Sequence, residues 1–557
     1  MAITSSLARY IQTLRHLRAG QWTYQFRHRL LPRSRPSTAP RPELRPPDQL
    51  LLEPVRKRAV LSAPLSITIF DQSVPVKDWS GTGLSDLQCY NLHYFDLCSA
   101  RSSAPLFEEL VLHWVEHNPP LSSVGWAAFP LSLRAVNWIK WHLRREPLPE
   151  RALQSLCLQA RVLSARPEYH LLGNHLLANG VALFHLGCFF AGDEGERWRQ
   201  QGQQIIDHQV EEQILNDGGH FERSPMYQGL VLEQLLDCFN MARCFGVEVP
   251  SRWRSLMLSM LSWSSSLRHP DGGFPFFNDS TLGVSPEHNE LVSYADRLGL
   301  RGGVELPPIR RSRLLAESGF AILHAGPFTV LGDVGSPGPS YQPGHSHAET
   351  LSFEASVGDK RFLCNSGVST YARSSERLRQ RGSAAHNCLV INDADSSDVW
   401  SSFRVGNRAQ SRVLDYSSRP EARLKACHDG YAPIRHTRAF TLTKEQGLTV
   451  DDVLVHANQR AWPRGSTPGL RVAAYFHLHP AWTVSQEQEV LHCLHPDGTL
   501  VEVSADRGGF RVIESSYHEG FGKSVRRPCL VLDWPTASLR VSVRFRCLAD
   551  ETGPSLR

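Results

Sequence analysis

Apolar positions along this 557-residue chain repeat with two different periods, and the change between them falls near residue 305. Between about residues 90 and 300 they recur at helical spacing. Residues 127–145 put Leu131, Leu133, Ala135, Trp138, Ile139 and Trp141 on two faces, the pattern of a helix packed between neighbours. Residues 175–190 are apolar nearly all round, and residues 230–245 are strongly amphipathic. Such helices in succession, with no strand between them, predict an all-α domain. DGGH at 217–220 and DGGFPFF at 271–277 read as turns closing helices, and their repetition hints at helical hairpins set in a ring.

A connector rich in Gly, Pro and Arg occupies residues 301–313. Beyond it, short alternating runs such as FTVLGD, NCLVIND, LTVDDVLV and LRVSVRFRCL predict a large antiparallel β-sandwich. The length exceeds what one hydrophobic core holds, so the chain divides into residues 1–60, a helical domain at 61–305 and a β-domain at 306–557.

Charge sets the first segment apart. Residues 1–60 carry eleven Arg and one Lys against two Glu and one Asp, while the whole chain is only +5, so the remainder is mildly acidic. Leu7, Ile11, Leu14 and Leu17 predict a basic helix over residues 5–30, followed at 31–49 by a Pro/Arg stretch with little helix or strand potential. That helix suits peripheral contact with an anionic membrane surface or a partner, and equally a solvated arm lying on the domain. No apolar run is long enough for a signal-peptide core or a membrane span. The twelve cysteines form no CxxC pair and read as reduced, buried thiols. A cytoplasmic or envelope-associated location is expected. Nothing resembles a phosphate loop or a nucleic-acid-binding module.

Candidate chemistry concentrates in a few motifs. In GHSHAETLSFE, residues 344–354, His345 and His347 stand at i and i+2 where a loop leads into an alternating strand, so both should project to one side. Paired imidazoles suit proton transfer or metal binding. Asn174 and His175 open an apolar helix, where Asn174 either meets an anion or caps the helix. Tyr227 follows Ser-Pro at a predicted helix start, as a packing residue or as an acid–base group if neighbours such as Arg223 lower its pKa.

Together with HLLGNHLLANG (170–180), DGGHFERSPMYQ (217–228), NSGVSTY (365–371) and QRGSAAHNCLVIND (380–393), these stretches resemble the heparinase II/III family of polysaccharide lyases, in order over roughly residues 90–460. The resemblance implies an incomplete α/α toroid followed by an antiparallel β-sandwich domain. It implies β-elimination on an acidic, uronate-containing polysaccharide, with heparan-type, alginate-type and bacterial exopolysaccharide substrates all open. Asn174 then neutralises the uronate carboxylate, His175 assists or acts as base, Tyr227 serves as base and acid, and His345 completes the site from the β-domain. Glu222 orients its neighbours. Arg134, Arg223, Arg377, Arg381 and Arg404 are candidates for substrate carboxylate or sulfate, and Trp400 for stacking on sugar.

His347, Asn365 and His386 correspond to a family metal site. The amide of Asn365 replaces a carboxylate there, so no cofactor is expected to be required and a structural zinc should bind weakly or not at all. Two other readings stand beside the lyase: a toroidal glycoside hydrolase pairing Glu222 with Asp217 or Asp279, and a non-catalytic protein for glycan binding or polymer assembly.

Overall fold

The computed structural model describes residues 9–30, 36–77, 79–97, 104–445, 447–456, 470–534 and 539–548. Its order is helices first and strands second. Ala104–His117, Ala128–Arg144, Glu150–Ala165, Gly173–Phe189, Gly192–Gln213, Pro225–Cys244, Ser251–Ser266 and His288–Arg297 are helical, and the first strand of the β-domain is Arg313–Leu315. The two residues between Phe189 and Gly192 force a tight helical hairpin. Successive helices pack around one apolar core, as in the expected incomplete toroid. The apolar faces legible at 127–145 are part of it: Leu131, Trp138, Ile139 and Trp141 are all buried.

Among the described residues, the β-domain is built from three large antiparallel sheets and a two-stranded one that pairs Val399–Trp400 with Arg404–Val405. Eight strands form the largest: Ser411–Ser417, Ala422–Tyr431, Ile434–Thr443 and Gly447–His456 run as a meander, then Arg540–Leu548, Leu500–Ala505, Val490–Leu494 and Thr483–Glu487 continue the order. A five-stranded sheet spans Arg313–Leu315 to Lys360–Leu363, and a four-stranded sheet joins Gly509–Tyr517, Val525–Asp533, Val472–His477 and Leu389–Ile391. All three contribute to one core, in which Phe353 meets Phe440 and Phe476, and Phe476 meets Phe545.

The five-stranded sheet is buried on both faces, and this joins the two halves. Along Phe320–Ala325, Ala321 and Leu323 face the β-core, while Phe320 and Ile322 pack on Trp263, Leu267 and Phe277 of the helical half. Trp263 Nε1 adds a hydrogen bond to Ser318 Oγ at 2.8 Å.

Two local expectations need correction. The helix expected over 5–30 is interrupted: residues 15–18 leave helical geometry before a helix resumes at Ala19–Leu30, and Leu7 lies outside the described residues. The Pro/Arg stretch, where it is described, has little helix or strand, as expected. Its backbone runs along the ends of the helices, with Arg45 N donating to Phe189 O at 2.9 Å and Asp48 N to Cys244 O at 2.9 Å, satisfying carbonyls that a helix C-terminus leaves open. Residues 61–75, assigned to the helical domain, instead form a small sheet of Leu61–Ser62, Ser66–Ile69 and Gln72–Pro75. Among the described residues, no helix is long and apolar enough to cross a membrane, and the cysteines are free and mostly buried.

Candidate active site

A cleft of about 1660 Å³ lies between the halves, and Asn174, His175, Tyr227 and His345 all line it. The local sequence explains their placement. Ser224 Oγ accepts from Tyr227 N at 3.2 Å and Pro225 occupies the first turn, so the Ser-Pro step starts the Pro225–Cys244 helix and puts Tyr227 at its cleft end. Farther along the same face, Leu230, Gln234 and Asp237 also line the cleft.

Asn174 sits at the start of the Gly173–Phe189 helix, but the capping role fails: the N-cap is Leu172, at φ 63°, and no side chain caps it. Asn174 Oδ1 is buried without a hydrogen-bond partner among the described residues, as is Gln342 Oε1. Gly173 makes this crowding feasible, because at φ +58° it brings the backbone so close that a Cβ there would lie 2.8 Å from Gln342 Oε1 and 2.9 Å from Glu222 Oε1.

His175 lies 3.4 Å from Glu168 and stacks near Phe129 with ring centroids 4.3 Å apart. Burial works against a charged imidazole here, yet Glu168 outweighs it and the His175 pKa is raised. The group therefore favours its cationic form, which suits an anion better than it suits a base.

From the β-domain side, the His345 ring stands over the Tyr227 ring with centroids 4.0 Å apart. His345 Nδ1 is hydrogen-bonded to Asp279 Oδ2 at 2.8 Å, and its Nε2 lies 3.7 Å from Glu222. Asp279 also bonds His347 Nε2 at 2.8 Å and takes a bidentate grip from Arg377, with Nη2 to Oδ2 at 2.7 Å. Burial alone would raise the Asp279 carboxyl, but Arg377 and the two histidines hold it well below the usual range. His345 and His347 do project to one side, as the i, i+2 spacing implies. They do so from a loop, since the strand begins only at Phe353.

The Tyr227 hydroxyl is 3.4 Å from that of Tyr371. Its pKa is not lowered. Burial raises it, and Tyr371 and Arg377 offset only part of the rise. Arg223 gives no help, because it points away to donate to the Ser336 carbonyl. Glu222 is 1% exposed, both its oxygens lack a hydrogen-bond partner among the described residues, and burial raises its pKa.

Most of the arginines proposed for substrate serve the scaffold instead. Arg134 is wholly buried, donating to Gln159, His93 O and Gly125 O and lying 3.8 Å over Trp114. Arg377 holds Asp279 and lies 4.8 Å over the Tyr371 ring, and Arg381 donates to Ser346 O at 2.8 Å, tying down the histidine loop. Arg404 does line the cleft rim, but Trp400 is covered: its Nε1 donates to Thr13 Oγ1 at 3.1 Å, and Tyr10 packs against both residues. Trp126 and Trp138 are core.

The metal candidates assemble with one replacement. His347 Nδ1 lies 3.2 Å from His386 Nε2, and the carboxylate beside them is Glu349, with Oε2 3.0 Å from His386 Nδ1. His347, Glu349 and His386 bring ligand atoms within 4.8 Å of one another. Asn365 is not one of the group; its Nδ2 donates to Glu349 Oε2 at 3.3 Å. Two imidazoles and a carboxylate fit a zinc-type donor set, with Asp279 behind His347 and Asn365 behind Glu349 to orient them.

Sequence reasoning missed Glu349 and Tyr371, and gave Asp279 only to the hydrolase reading. A signal for Glu349 was present, since it continues the i, i+2, i+4 series from His345. Asp217, the other hydrolase candidate, is a turn residue bonded to Gly219 N and Ser318.

Two family descriptions match this chain: heparinase II/III N-terminus over residues 146–298, and heparinase II/III-like, C-terminal, over residues 307–545. The chain is 24% identical over 364 residues to a heparin-sulfate lyase of Bacteroides stercoris, covering 60% of this chain and 52% of that protein. It is 24% identical over 337 residues to FtsZ-localized protein C of Caulobacter vibrioides, covering 57% of this chain and 56% of that one. It thus spans about half the length of the curated relatives it matches. The crystal structure of heparinase III superposes with a TM-score of 0.66 at 17% identity, over 83% of this chain and 76% of that one, and shares the fold. With its helical and β-domain halves each matched in order, the chain belongs to the heparinase II/III family.

Proposed function

We propose that the protein is a polysaccharide lyase that cleaves an acidic, uronate-containing polysaccharide by β-elimination. The observation that carries this is the meeting of Tyr227 and His345 in one cleft beside Asn174 and His175. The reaction needs the uronate carboxylate neutralised, the C5 proton removed and the departing C4 oxygen protonated. Asn174 and His175, whose pKa Glu168 raises toward the charged form, stand side by side at a helix start and suit the first task. With Nδ1 held by Asp279, His345 presents Nε2 as the base for the C5 proton. Burial keeps Tyr227 a neutral phenol, ready to give its proton to the C4 oxygen. Relatives named heparin-sulfate lyases support a glycosaminoglycan-type substrate.

The hydrolase reading is weaker, since Asp279 is committed to Arg377 and both histidines and offers no second carboxylate to pair with Glu222. We propose no cofactor for the chemistry itself. The residues that would hold a zinc are His347, Glu349 and His386, where its service would be to stiffen the loop carrying His345. The proposed location is the cytoplasm or the envelope. Trp22, Phe26 and Leu30, exposed one turn apart on Ala19–Leu30 beside Arg27 and Arg29, form the face that would meet an anionic membrane.

A panel of acidic polysaccharides, followed by ultraviolet absorbance and product mass, tests the activity. Unsaturated uronate products are expected. Saturated products would instead mean hydrolysis, and binding without turnover would mean a non-catalytic protein.

A further inference from the structure

The cleft is crossed on two sides by segments that precede both family-matched regions. On one side lies the stretch 9–30, whose Thr13, Leu14, Leu17 and Gln21 line the cleft. It is fastened to the β-domain by Arg9 on Asp398 at 2.9 Å, by Thr13 on Trp400, and by the Tyr10 ring against Trp400 at 4.8 Å. It is fastened near the helical half by Arg18, which pairs with Glu212 and lies 3.8 Å over Tyr341, and by Tyr24 stacked on Tyr169 at 5.0 Å. On another side, the hairpin of Ser66–Ile69 and Gln72–Pro75 also lines the cleft. Its tip reaches the β-domain through Phe70 against Phe521 at 5.0 Å and Asp71 on Lys523 at 2.7 Å. Phe521 in turn packs on Tyr371, the neighbour of Tyr227, at 4.9 Å.

We propose that these two clasps determine substrate length: the cleft takes short acidic oligosaccharides or chain ends and rejects the interior of a long polymer. A polymer lying across the site would have to run through the space the clasps fill. The stretch 9–30 also occupies Trp400 and packs on Arg404, the aromatic and cationic surface that an extended acidic chain would use. This inference rests on the lyase reading and adds its mode of attack.

The test compares full-length wild type with two opened variants, Tyr10→Ala/Arg9→Glu and Phe70→Ser/Lys523→Glu. Each removes an aromatic contact as well as an ion pair, because an exposed ion pair alone holds little. All four residues lie outside the acid–base machinery. Binding of a labelled tetrasaccharide and of long polymer from the same acidic glycan is measured alongside ultraviolet turnover. The preference for the short ligand should fall about tenfold or more in an opened variant, the scale at which pocket shape discriminates. Early products should shift from single terminal units to a spread of lengths. The charge-swapped Asp71→Lys/Lys523→Glu, which keeps Phe70, should retain the wild-type preference. Turnover with an unchanged length preference in both opened variants overturns the clasp inference and leaves the lyase reading standing. No binding and no product from any acidic glycan overturns the lyase reading itself.

Discussion

Tyr227 and His345 come from different halves of the chain, yet their rings lie with centroids 4.0 Å apart and planes tilted by 30°. The helical half supplies a phenol fixed by a Ser-Pro helix start, and the β-half supplies an imidazole fixed by Asp279. Substitution of Tyr227 by Phe keeps the ring packing and removes the proton. Turnover should fall by roughly 10²-fold or more, the usual scale for a positioned acid–base group, with the thermal midpoint nearly unchanged. Near-normal turnover in this variant would remove Tyr227 from the mechanism.

Asp279 holds His345, His347 and Arg377 together inside the protein. Asp279→Asn leaves the Arg377 guanidinium buried without its anion, so a stability loss of about 3–5 kcal/mol is expected. Activity should fall with it, because His345 loses the partner that fixes its tautomer. Denaturant unfolding and turnover on the same preparation check both. A variant as stable as wild type would show that Arg377 finds a substitute partner.

Buried histidines give the helical half a defined response to acid. Burial, reinforced by Arg134, lowers the pKa of His93 to about 3, and burial lowers that of His185 to about 4. The folded state therefore prefers neutral imidazole. That contribution is complete above the unfolded value of about 6.5 and is lost as the pH falls toward the folded values. The thermal midpoint should decline below about pH 6.5, and His93→Gln should flatten the decline by about one proton. An unaltered slope in the variant would show that His93 does not contribute.

The buried trio of His347, Glu349 and His386 predicts how metal content responds to substitution. Protein supplied with zinc during expression should carry close to one ion per chain by elemental analysis. Glu349→Gln should lose it, whereas Asn365→Ala should only weaken retention, because Asn365 acts through Glu349. Equal metal content in both variants would separate Glu349 from any metal role.

Much of the architecture was legible because burial imposes period on sequence: the helical run to residue 297 and the strands from residue 313 are where periodicity put them. That Asn174, His175, Tyr227 and His345 would meet in one cleft was legible because each stands in a short motif, the first three at helix starts and His345 in a loop. The arginines were not. A guanidinium in a motif reads the same whether it faces a sugar or, like Arg134 and Arg381, a backbone carbonyl, and only tertiary packing decides. Asp279 and Tyr371 earn their roles through partners far away in sequence, which no local pattern records. The covering of Trp400 was not legible for a related reason, since Tyr10 and Thr13 lie at the other end of the chain.

The Pro225–Cys244 helix lays a row of side chains along the cleft wall, starting at Tyr227. Leu230, Gln234 and Asp237 continue the same wall, and at 1.5 Å per residue the backbone of Asp237 lies about 15 Å along the helix axis from that of Tyr227. Asp237 is committed to Lys140 and Tyr294, which leaves Gln234 as the polar side chain on this face farther from Tyr227. A change at Gln234 would alter which sugar is tolerated some units from the broken bond, while the bond itself would still be broken the same way.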